Sequence, residues 1–105
     1  MSVIMTIWLK GDPAALEQYV QENPGKLEAI RDHAVEHGLI AHRFYGADGQ
    51  LLIVDEWPDA ESFQGFFGHV ADQVAPAMEA AGVTEEPRPV FWHKLDTQDD
   101  YGWGA

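Results

Sequence analysis

The segment Leu51-Leu52-Ile53-Val54-Asp55-Glu56-Trp57-Pro58-Asp59-Ala60-Glu61-Ser62-Phe63 runs an apolar strand straight into a capped helix, and it restricts the fold more than any other part of the chain. Its first seven residues are rich in large aliphatic and β-branched side chains, the composition of a buried strand. Asp59 and Glu61 then stand where a new helix presents unpaired N–H groups and the positive end of its dipole. The rest of the chain repeats this alternation. Val3 to Leu9 is strand-like with both faces apolar, and Gly11-Asp12-Pro13 provides a breaker, an N-cap and a proline at the first helical position. Leu16, Tyr19 and Val20 follow at helical spacing, Asn23-Pro24 starts a second piece through Leu27, Ile30 and Ala34, and Gly38 fits a left-handed helix end.

Leu39 to Tyr45 and Leu51 to Trp57 flank Gly46-Ala47-Asp48-Gly49-Gln50 and are expected to form a hairpin. A second helical region carries Phe63, Phe67, Val70, Val74 and Met78 on one face, with Pro76 expected to bend or restart it and Gly82 to end it. Val90 to Leu95 makes a fourth strand. The order is βαββαβ, an α+β ferredoxin-like arrangement with helices on one face of a four-stranded antiparallel sheet. Because the strands are apolar on both sides, the second face needs cover. Two subunits are therefore expected to pack sheet against sheet as a symmetric homodimer.

Size and charge narrow the partners. The 105 residues fit one domain, 1–105, with an acidic tail over about 96–105 that holds Tyr101 and Trp103. Eighteen acidic against six basic residues give a net charge of -12, which repels phosphate backbones and anionic lipid, so neither nucleic acid nor membrane is an expected partner. Without cysteine there is no disulfide, thiolate metal site or cysteine nucleophile. No stretch reaches the apolar length of a membrane span, and Met1 to Leu9 lacks signal-peptide character, so a cytoplasmic location is expected.

With these elements in place the chain resembles the dimeric α/β-barrel superfamily and, within it, the antibiotic-biosynthesis-monooxygenase-like domains. The resemblance spans Val3 to Leu95 and is carried by Ile4-Met5-Thr6-Ile7-Trp8, by Arg43-Phe44-Tyr45, and by Asp55-Glu56-Trp57 leading into Ala60-Glu61-Ser62-Phe63. It implies a hydrophobic small-molecule ligand, aromatic or polyketide-like, and among the activities of the superfamily a cofactor-independent oxygenase or a haem-degrading one. Haem-degrading members carry a second tryptophan and then a histidine along the helix, where this chain has Phe66 and Pro76. Other relatives place a histidine near Phe66, and here His69 follows one turn later.

The polar residues forced into apolar strands are the candidates for chemistry. Closing the hairpin with Tyr45 opposite Leu51 puts His42 opposite Val54 and Ile40 opposite Glu56, making His42 and Glu56 diagonal neighbours on one face. Such a pair suits proton transfer, with His42 as base and Glu56 orienting it, or else a purely structural hydrogen bond. The same closure groups Arg43 with Asp55 as an ion pair. His33 and His37, four residues apart beside Asp32 and Glu36, form a metal-like spacing without a third ligand, and surface histidines at a helix end are the simpler expectation. Phe66 and Phe67 diverge by about 100° on their helix, so one of them is available to a pocket. Thr6, Trp8, Phe63, Phe66, Phe67, His69 and Trp92 are the expected ligand-binding set between helices and sheet.

Neither a phosphate-cradling glycine loop nor a nucleophile elbow is present, so nucleotide cofactors and acyl transfer are not expected. The leading expectation is a cofactor-independent monooxygenase-like protein, or an isomerase or cyclase using the same histidine base. The rivals are a non-catalytic ligand-binding or assembly protein of this fold, and a haem binder through His69. Neither metal nor cofactor is required by the leading case, and haem and flavin stay open because both bind without a motif.

Overall fold

The computed structural model describes residues 1–103, and among them four strands and three helices follow in the expected order. They are β1 (Val3–Lys10), α1 (Pro13–Glu22), α2 (Lys26–Glu36), β2 (Ala41–Ala47), β3 (Gln50–Trp57), α3 (Ala60–Ala80) and β4 (Val90–Trp92). The sheet is antiparallel with order β2-β3-β1-β4. Among the described residues no helix is long and apolar enough to cross a membrane. Gly104 and Ala105, the last residues of the acidic tail, lie outside the described part, while residues 96–103 carry no regular element and leave Tyr101 and Trp103 exposed.

The helix signals work as local chemistry requires. The Asp12 carboxylate accepts from the Ala14 N–H at 3.0 Å ahead of Pro13. Asp59 accepts from both the N–H and the hydroxyl of Ser62 at 2.8 Å, and these bonds hold its carboxyl below the ordinary value of 3.8. The first helical region is two separate helices, since Pro24 cannot donate and Gly25 takes a positive φ of 84°. At the end of α2, Gly38 has φ 103°, its N–H bonds the Val35 carbonyl at 3.0 Å, and the Leu39 N–H bonds the Ala34 carbonyl at 3.1 Å.

Four boundaries differ from expectation, each for a physical reason. Leu39 belongs to the closure of α2 rather than to β2, which starts at Ala41. The hairpin loop is only Asp48-Gly49, because Gly46 lies within β2 where the strand passes Pro13. A side chain there would place its Cβ 2.8 Å from Pro13 Cβ. Helix α3 runs unbroken through Pro76, which lies on the exposed side together with Asp72, the residue whose carbonyl loses its helical partner there. Finally, β4 stops at Trp92 and not at Leu95, since Trp92 already pairs with Ile4, one residue from the start of β1.

The pairing gives each sheet face a fixed set of side chains. Met5, Ile7 and Leu9 of β1 and Leu51, Asp55 and Trp57 of β3 are buried under the helices with Leu16, Ala34, Phe63, Phe66, Val70 and Ala77. On the opposite face Ile4, Trp8, Tyr45, Val90 and Trp92 are exposed, Trp8 by 49% and Trp92 by 54%. Their indole N–H groups are satisfied within that face, Trp92 donating to Thr6 Oγ1 at 2.7 Å and Trp8 to Gln50 Oε1 at 2.8 Å. What remains on this side is a ring-rich surface that the helices of the same chain do not cover.

Candidate functional site

The observed hairpin register brings His42 opposite Asp55 and Ala41 opposite Glu56. Compared with the expected closure this is a slip of one residue, and it changes which carboxylate meets the imidazole. His42 Nδ1 lies 2.6 Å from Asp55 Oδ1, and the other carboxylate oxygen accepts from Trp57 Nε1 at 3.0 Å. Asp55 is only 6% exposed. A carboxylate buried to this degree in an apolar layer needs both oxygens engaged, and these two donors meet that demand. The indole can only donate, so it holds one end of the carboxylate while the other end fixes the imidazole. With Nδ1–H given to Asp55, Nε2 is left carrying the free lone pair, and among the described residues nothing hydrogen-bonds it.

An aromatic shell supports this arrangement. Trp57 is fully buried, with Phe63 edge-on at 5.7 Å and Phe66 tilted at 5.6 Å. Phe67 stacks on Phe63 at 5.4 Å, and Phe44 meets the His42 ring edge-on at 5.1 Å. Between this shell, the sheet and α2 lies a cavity of about 90 Å³ whose walls include His42, Asp55, Phe63, Phe66, Phe67 and Met78. Apart from His42, Asp55 and Arg31 its lining is apolar. An apolar cavity of about 150 Å³ is enough to take up benzene. This one is smaller, so it takes a short chain as it stands and a single ring only when a wall shifts; of the half-buried Phe67, Val74 and Met78 that line it, methionine is the most adaptable.

The expected site residues separate into two groups. Phe63, Phe66, Phe67 and His42 line the cavity. Thr6, Trp8 and Trp92 do not, because their positions alternate onto the uncovered sheet face. Glu56 also lies on that outer side and accepts from the Ser2 hydroxyl, so Asp55 takes the place expected for it. Arg43 does not pair with Asp55 and donates to the Tyr45 hydroxyl at 3.2 Å. His69 is exposed on α3 outside the cavity lining, its ring 6.2 Å from His37. His33 and His37 do meet on one helix face, rings 4.7 Å apart and both about 5.9 Å from Phe66. Among the described residues no group of three or more His, Asp or Glu side chains is arranged to hold a metal.

Two polar cavity residues, Asp55 and Arg31, lie outside the ligand-binding set expected from the sequence, as do several apolar lining residues. Asp55 had a visible signal. In Leu51, Ile53, Asp55 and Trp57, the alternate positions of one face, it is the lone polar residue. Arg31 had none, since a single arginine beside an apolar helical stripe is ordinary.

With the geometry fixed, the fold can be set beside solved structures. An antibiotic biosynthesis monooxygenase superposes with a TM-score of 0.62 at 14% identity, covering 91% of this chain and 100% of its own. This chain has the α+β ferredoxin-like fold of that structure. A dimeric ferredoxin-like protein from an uncultured marine organism shares that fold with a TM-score of 0.61 at 10% identity, over 90% of this chain and 89% of that one. SnoaB, a cofactor-independent oxygenase from Streptomyces nogalater, does so with a TM-score of 0.57 at 12% identity, over 94% and 97%. At such identities the likeness is one of fold. No protein-family model and no curated protein matches the sequence.

Proposed function

We propose that this monooxygenase-like chain binds a small aromatic or enolisable molecule in the helix–sheet cavity and that His42 removes a proton from it. The observation that carries this reading is the Asp55-bound imidazole on the wall of a cavity whose lining, Arg31 aside, is otherwise apolar. Asp55 fixes the tautomer, Nε2 accepts the proton, and the phenylalanines keep water from the resulting anion. An electron-rich phenolate or enolate so formed reacts with dioxygen directly, or is reprotonated elsewhere in an isomerisation. Neither route requires the protein to supply a metal or flavin. SnoaB, described as a cofactor-independent oxygenase, supports the first route.

Oxygen uptake with single-ring hydroquinones and naphthols tests this proposal. The native protein is expected to accelerate uptake, and His42→Ala to lower the rate about 10²–10⁴-fold, the usual contribution of a positioned base. An alanine variant as fast as the native chain overturns the assignment.

The same proposal places two subunits sheet to sheet. Exposed Ile4, Trp8, Tyr45, Val90 and Trp92 give the outer face an apolar surface, and the dimeric ferredoxin-like neighbour supports its use between copies. Sedimentation of the native chain is expected to give a dimer. Trp8→Glu combined with Trp92→Glu buries two unpaired charges at that contact and is expected to weaken it at least about 100-fold, giving a folded monomer. A double variant that stays dimeric at the same concentration places the interface elsewhere.

A further inference from the structure

The cavity has one cationic neighbour that proton abstraction does not use. Arg31 lies on the side of α2 that lines the cavity with Leu27, Ile30 and Ala34, and no other Lys or Arg contributes to the lining. Among the described residues its guanidinium hydrogen-bonds only the adjacent Asp32, with Nε at 3.1 Å and Nη2 at 2.8 Å from the same carboxylate oxygen, and the Glu28 carboxylate also acts on its charge. That pair is open to water, the two side chains being 49% and 68% exposed. Exposed pairs of this kind are weak and exchange readily. Two of the five guanidinium N–H donors are engaged in it, which leaves the fork free to take a planar oxyanion.

The opposite charge at the cavity is already occupied. Asp55 gives one oxygen to His42 and the other to Trp57, so it offers a ligand no free acceptor of comparable strength. In a chain of net charge -12 an anion is repelled almost everywhere. A cation beside an apolar cavity is then a selective feature.

We infer that Arg31 is the anion anchor of this cavity, and that its ligand is a small apolar ring or chain bearing a single carboxylate or similar oxyanion. This rests on the reading that the cavity beside His42 holds the ligand. The apolar body sits among Phe63, Phe66 and Met78, and the oxyanion stays at the water-exposed edge, where its desolvation is least costly. Such a ligand fits the cavity size better than a neutral polycycle does. Its charge also holds the apolar body in one orientation relative to His42.

Phenylacetate and its neutral counterpart phenylacetamide, titrated separately while the His42 imidazole resonances are followed by NMR, test the inference. The native protein is expected to bind phenylacetate at least about tenfold more tightly than the amide, the effect of one charge-assisted contact. Arg31→Met keeps the apolar stem and is expected to erase this preference by weakening phenylacetate far more than the amide. Arg31→Lys is expected to retain part of it. Equal binding of both probes by the native protein, or a preference that survives in Arg31→Met, overturns the role of Arg31 and leaves the cavity reading standing. If neither probe moves the His42 resonances, both the inference and the cavity reading fall.

Discussion

Replacing Trp57 by alanine is expected to destabilise the protein by about 3–5 kcal/mol, the range for removing a large aromatic from a core. Trp57 is fully buried and packs against Phe63 and Phe66, so the space left behind lies at the junction of sheet and α3 where collapse is hardest. Its indole also donates to Asp55, and without it one oxygen of a buried carboxylate loses its donor. For a domain of this size the loss corresponds to a fall in Tm of about 15–25 °C. Trp57→Phe separates the two contributions. It keeps one aromatic ring in the core and removes the N–H with the smaller part of the indole, and is expected to destabilise by about 1–3 kcal/mol. Thermal and urea unfolding of both variants measure these losses, and an alanine variant within about 1 kcal/mol of the native chain would show that Trp57 does not centre the core.

Asp55→Asn is expected to leave the fold nearly intact and to remove proton abstraction almost completely. Asp55 accepts twice, from His42 Nδ1–H and from Trp57 Nε1–H, on different oxygens. Asparagine has one acceptor oxygen. Since the indole can only donate, the amide turns its oxygen to Trp57 and its NH₂ to His42. Nδ1 then becomes an acceptor, the ring proton moves to Nε2, and the atom proposed as the base has no lone pair to give. A tautomer reversed in this way in a carboxylate–histidine dyad lowers turnover about 10⁴-fold with the geometry preserved. Oxygen uptake and thermal unfolding of the same variant check both halves. A variant that keeps its activity would show that Asp55 serves the core alone, and one that unfolds would show that its charge, not its shape, holds β3 in place.

The difference between what the chain reveals and what it conceals follows from where alternation is present. Helix ends are marked by short-range chemistry, and Asp12-Pro13, Asp59 with Ser62, and Gly38 each act where they stand. Strand order follows from their sequence and the hairpin. Strand parity is harder, because β1 and β3 carry apolar residues on both faces and nothing in their composition says which face the helices cover. Parity must then come from the turn. Gly46 imitates a turn residue, yet its small size is used to pass Pro13. Taking it into the loop moves the register by one residue. That single step exchanges Asp55 for Glu56 beside His42 and leaves Arg43 matched to the wrong partner. The same ambiguity sends Thr6, Trp8 and Trp92 to the outer face, whereas Phe63, Phe66 and Phe67 were legible because a helix stripe has one orientation.

The imidazole nitrogens of His42 report most directly on the central claim, and a long-range ¹H–¹⁵N correlation spectrum of the native protein resolves them. The neutral ring is expected to carry its proton on Nδ1, hydrogen-bonded to Asp55, with Nε2 bare and moving when phenylacetamide is added. A ring protonated on Nε2 in its neutral form, or an Nε2 resonance indifferent to the probe, would contradict the account.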